Sequence, residues 1–141
     1  MIPYEYLEHT ADVKFRAYGH SLEEMLSNAA LALFNSMIDT NTVRAKETWM
    51  VELAGPDIEQ LAYDWLSELI FLFETELAVF SKFGINLNQD QSGQLNLKAA
   101  IGGEKIDLRR HAFDNEVKAV TLHEFKVKQN SLWCIQVVLD V

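Results

Sequence analysis

The sequence predicts an α+β domain, with two helices packed on a mostly antiparallel sheet, and three observations carry that reading. The periodicities run β-β-α-β-α and then only strands, which is not the regular alternation of a dinucleotide fold or a strand–helix barrel. Two long apolar stripes at helical spacing each open on a capping box. Residues 83–141 alternate like strands and are punctuated by turn formers.

Taken in order, Tyr4–Glu8 and Val13–Gly19 read as short strands, the second setting Val13, Phe15 and Ala17 against Lys14, Arg16 and Tyr18. Ser21 caps the first helix, because Glu24 lies three residues on and can reach back to the cap's backbone N–H. Leu22, Met25, Leu26, Ala29, Ala30, Leu33, Phe34 and Met37 then form one apolar stripe. Glu47–Leu53 alternates again, and Gly55-Pro56-Asp57 turns into a second helix with Asp57 as cap and Gln60 in the reciprocal position. That helix runs to about Val79 and is apolar on enough of its surface to be buried on two sides; an aromatic-rich stripe of this kind belongs to a core. Phe83–Leu87 and Gln94–Ile101 flank Asn88–Gly93 as a hairpin. Gly102-Gly103 is a bulge or break before Glu104–Arg110, and Val117–Lys128 with Leu132–Val141 form a final long hairpin around Gln129-Asn130-Ser131.

At 141 residues the chain reads as one domain, 1–141, able to bury a core without staples. An apolar share of 49% and a charged share of 23% are those of a globular protein. The single cysteine, Cys134, cannot form an internal disulfide and sits mid-strand as a small buried thiol, so the expected setting is cytoplasmic. No apolar run approaches the roughly 18 residues of a membrane span, and no secretory signal is visible. A net charge of −9 argues against strong direct nucleic-acid binding, which depends on neutralising phosphates with Lys and Arg. The acids concentrate in residues 1–102, while residues 103–128 hold six bases against five acids. An acidic body with a balanced patch suits docking onto a basic protein surface, although a plain solvated acidic surface would look the same.

There is no glycine-rich phosphate loop, no cysteine pair and no nucleophile elbow. Three polar features stand out. Asp12 lies between two short strands, where an aspartate ordinarily serves as a turn residue. Asp140 is followed only by Val141, whose terminal carboxylate is a second anionic group beside it. Three converging carboxylates would need a cation between them, and oxygen-only ligation favours Ca²⁺ or Mg²⁺ over zinc. The third feature is a histidine set, His9, His111 and His123, with His20 apart; their spacing fits no zinc pattern, which leaves them as partner-contacting or supporting groups.

The opening YEYLEHTADVKFRAYGHSLEEMLSNAALALFNSM, the central DWLSELIFLFETE, the GE…H…EVKAVTLH stretch and the terminal LDV together resemble the archease family, end to end and in the right order. The resemblance implies a fold that elaborates the strand-helix-strand-strand domain with extra strands. It implies an accessory factor, not itself an enzyme, for the GTP- and metal-dependent tRNA-splicing RNA ligase, promoting ligase guanylylation and multiple turnover. It also implies a divalent cation, typically calcium, held by Asp12, Asp140 and Val141 through its terminal carboxylate. Glu104, His111, Lys118 and His123 fit the family's GE…H…VKAVT.H pattern and, with His9, are expected to face the ligase or the cation; Leu122 stands where many relatives have tyrosine. Two other readings stay open: a chaperone or specificity factor for RNA-modifying enzymes such as methyltransferases, and a metal-dependent hydrolase using Asp12 and Asp140 with His111 as general base.

Overall fold

A computed structural model describes residues 1–8 and 11–141. The elements are β1 (Tyr4–Leu7), β2 (Val13–Gly19), α1 (Leu22–Asn35), β3 (Glu47–Gly55), α2 (Ile58–Glu76), β4 (Ala78–Gln89), β5 (Leu95–Lys105), β6 (Ala119–Val120), β7 (Lys126–Gln129) and β8 (Trp133–Asp140), with one 3₁₀ turn at Thr40–Thr42. The α+β class is as the sequence predicts, but the strands divide into two antiparallel sheets. One runs β1-β2-β8, with β7 and β6 sharing the far edge of β8; the other runs β3-β5-β4.

The helices explain the division. α1 packs on β1, β2 and β8 of the larger sheet and also on β4 of the smaller, while α2 touches β3, β4 and β5 on one side and β6 and β7 on the other. A helix gripped by two sheets needs apolar residues around more than one stripe, which the dense Ala/Leu/Phe content of both helices supplies. Met25, Leu26, Leu33, Phe34, Leu61, Trp65, Leu66 and Leu69 are all removed from water, each contributing about 1.5–3 kcal/mol by its burial. The indole N–H of Trp65 donates to the Leu26 carbonyl at 3.0 Å, so the largest core side chain also ties the helices together.

Both caps form, with a difference. Ser21 Oγ accepts the Glu24 N–H and Asp57 Oδ1 accepts the Gln60 N–H. The reciprocal bonds do not close on the caps: Glu24 accepts the N–H of His20, one residue earlier, and the Gln60 amide donates to Asp64.

Three expected boundaries are corrected. α2 stops at Glu76, because Leu77 turns into the left-handed region (φ 49°), and Val79 lies in β4, which begins at Ala78, instead of ending the helix. Gly102-Gly103 does not break the chain but continues β5; opposite it, β4 carries an irregularity between Phe80 and Lys82. Glycine is required there, since a Cβ on Gly103 would lie 2.0 Å from the Val79 carbonyl oxygen. The long strand expected over Val117–Lys128 is two short ones, β6 and β7, separated by a turn in which Glu124 adopts φ 54°. No described helix is long and apolar enough to cross a membrane.

Candidate functional site

The larger sheet brings Asp12, near the start of the chain, beside its C-terminal residues. β2 and β8 pair from Gly19↔Trp133 to Val13↔Leu139. Asp12 directly precedes the last residue of that ladder on one strand, and Asp140 directly follows it on the other. Asp140 is exposed and Asp12 is half-buried. The Asp140 carbonyl accepts the Lys118 N–H at 2.8 Å, and Asp140 pairs with Ala119 of β6, so its backbone is fixed from both sides. Val141 packs its side chain against the core, which restrains where its carboxylate can go. His9 lies outside the described residues.

Two aspartates and a terminal carboxylate would offer a cation only hard oxygen, a chemistry that suits calcium or magnesium and not zinc. Among the described residues, no three His, Cys, Asp or Glu side chains gather into a metal-holding group, so a cation at this corner would depend on the terminal carboxylate as well as the two aspartates. Asp12 also borders a cleft of about 310 Å³ shared with Tyr6, Asn35, Ser36, Asp114 and Asn115. Asp114 and Asn115 were invisible to sequence reasoning: they come from an irregular loop held to the end of α1 by the Asp114 N–H on the Met37 carbonyl and the Asn115 amide on the Ser36 carbonyl.

Glu104 and His111, expected to face a partner or the cation, are instead buried, each 3% exposed. The Glu104 carboxylate accepts the Arg44 N–H at 2.7 Å, the His111 ring N–H (Nε2) at 3.1 Å, and the guanidinium of Arg110. His111 Nδ1 accepts the Asp107 N–H at 2.9 Å, which fixes the ring proton on Nε2. Burial alone would raise the Glu104 pKa; the bonds from Arg44, His111 and Arg110 and the Arg110 charge outweigh it and hold the carboxyl at about 2. The arrangement is a clasp that hangs residues 106–118 on the end of β5. Both ring nitrogens of His111 are taken up inside it, so the side chain has no free atom for a general base and the hydrolase reading loses its catalyst.

Lys118 and His123 are exposed. His123 Nε2 stands 3.8 Å from Glu124, whose carboxylate also pairs with Lys14 at 3.1 Å on the same strand as the Val13 rung. Leu122 projects into solvent beside them. Cys134 is buried, and burial pushes its thiol up, so it stays an inert core group.

Two helices held between two antiparallel sheets, with Asp12 brought beside the C-terminal residues, define a small α+β domain. The chain belongs to the archease protein family (MTH1598/TM1083), whose model matches residues 4–141. It is 46% identical to the protein archease of Methanosarcina mazei over 98% of this chain and 95% of that one, and 36% identical to the protein archease of Pyrococcus furiosus over the whole of both. The solution structure of Methanobacterium thermoautotrophicum protein 1598 superposes with a TM-score of 0.88 at 41% identity, covering 99% of each chain.

Proposed function

We propose that this protein is a non-enzymatic, cytoplasmic activator of a GTP- and metal-dependent tRNA-splicing RNA ligase, promoting its guanylylation and repeated turnover through a contact surface organised by a divalent cation. Asp12, Asp140 and the Val141 carboxylate would hold that cation, calcium by preference and magnesium as the alternative. The observation that carries the reading is the β2–β8 register, which sets the two aspartates beside one rung at Val13↔Leu139. When bound, the cation would supply the positive charge that lets three carboxylates share a corner. The chain's own contribution is rigidity: β6 and the Lys118 N–H fix Asp140, the ladder fixes the approach of Asp12, and the core fixes Val141.

The surface around the corner fits a protein partner better than a bare RNA. The chain is strongly acidic, and Lys14 is already engaged with Glu124. Lys118 and His123, exposed at this edge, are the remaining contact candidates. The test is a ligation assay with limiting ligase. Addition of this protein should convert a single round of guanylylation and joining into many, and Asp140→Ala should return the reaction to one round. Full activation by that variant would show that the aspartate has no part in it.

A further inference from the structure

We propose that a groove between the C-terminal end of α2 and residues 106–116 docks a basic segment of a partner protein by its apolar side chains. The groove encloses about 870 Å³. Its apolar lining comes from Phe73 and Leu77 on the helix side and Ile106, Leu108 and Phe113 on the loop side, with the two phenylalanine rings 6.0 Å apart. Leu77 and Leu108 are 64% and 79% exposed. Scattered exposed leucines are ordinary, but two that border one groove form a continuous apolar surface.

Charge identifies the occupant. Glu74, Asp114 and Glu116 line the groove and are exposed, and no lysine or arginine lines it among the described residues. The neighbouring bases are engaged elsewhere: Arg109 pairs with Asp107 at 3.2 Å, and Lys105 donates to the Glu76 carbonyl at 2.7 Å. An apolar floor with an uncompensated acidic rim complements a segment that carries apolar anchors between lysines or arginines.

A second observation comes from the backbone. Leu77 ends α2 with φ 49°, a conformation in which glycine or asparagine is cheaper than leucine. Its carbonyl accepts the Ile106 N–H at 2.7 Å, which joins the two sides of the groove. A bulky apolar side chain held in a strained conformation and left in water is a cost that the fold does not require. A ligand-binding role accounts for it.

The inference does not rest on the cation or on the ligase. Random-peptide display panned against the full chain should enrich sequences with Leu, Ile, Phe or Met anchors flanked by Lys or Arg. Synthetic copies, followed by fluorescence anisotropy, should bind at least tenfold more weakly to Leu108→Asp and to the double variant Glu74→Lys/Glu116→Lys. They should bind equally in calcium and in EDTA, which separates this site from the cation corner. Leu77→Gly separates binding from folding: it should weaken peptide binding while the melting temperature holds or rises. Enrichment equal to that on Leu108→Asp, anchors without basic flanks, or self-association in sedimentation that Leu108→Asp abolishes would each overturn the proposal.

Discussion

Glu104 and Asp140 both lie at the C-terminal ends of strands and both carry a carboxylate, yet their surroundings differ in every respect that matters. Glu104 is buried and accepts bonds from Arg44, Arg110 and His111, so its acceptor capacity is spent inside the molecule. Asp140 is exposed, and its backbone bonds fix the main chain while leaving the carboxylate facing water. A buried carboxylate surrounded by donors stabilises the fold, because removing it strands those donors. An exposed carboxylate on a rigid backbone adds little to folding and keeps its charge for a ligand. The two regions are also joined: residues 106–118 hang from the Glu104 clasp at one end and meet the Asp140 carbonyl at the other.

The largest effect should follow from breaking the clasp. Glu104→Ala should cost about 3–5 kcal/mol in urea unfolding, because the Arg110 charge and the His111 N–H lose their acceptor in the interior. The pH dependence has a definite sign. The Glu104 carboxyl lies at about 2 in the folded state against an ordinary 4.5, so its contribution is complete above about pH 4.5 and is lost as pH falls toward 2. Glu104→Gln should flatten that acid limb of the stability curve; an unchanged limb would place the acid sensitivity elsewhere.

At the corner the expected effects are on affinity. Asp140→Ala should weaken calcium binding about 100-fold, or about 2.7 kcal/mol, in titration calorimetry, while its stability in EDTA stays within about 0.5 kcal/mol of the parent. A large loss of stability in EDTA would make Asp140 a second clasp and erase the contrast. Extending the chain beyond Val141 turns its carboxylate into a neutral amide and should cost about tenfold in calcium affinity, or about 1.4 kcal/mol. Unchanged affinity would remove the terminal carboxylate from the ligand set. The smallest effect belongs to His123→Ala: with its ring 67% exposed and 3.8 Å from Glu124, it should shift stability by less than about 0.5 kcal/mol.

The helices were legible because their signals are local. Ser21 with Glu24 and Asp57 with Gln60 mark the starts, and the apolar spacing marks the buried faces. The end of α2 was not, since Leu77 takes a left-handed conformation without the glycine that would announce it. The turn at Glu124 was missed for the same reason, which is why β6 and β7 were read as one strand. The division into two sheets depends on β8 pairing with β2 far away in sequence, and no alternation of residues records a strand's partner. The GE…H motif stood out as a pattern of polar residues, but a pattern does not distinguish a contact surface from a buried clasp. Burial decides between them, and burial is a property of the assembled fold.

The β2–β8 ladder also sets an order of events. The side-chain bond from Arg16 to Gln136 spans 120 positions, whereas the β4–β5 hairpin closes over the tight turn in which Asp90 bonds Gln94. Loop-closure entropy disfavours the long pairing by about 3 kcal/mol relative to the short one before its contacts repay it. The smaller sheet and the two helices can therefore gather early, and the ladder that unites the chain ends comes late. The corner beside Val13↔Leu139 is thus among the last features that loop-closure entropy allows to form. A partner that read it would select mature protein from nascent and half-folded chains without any further signal.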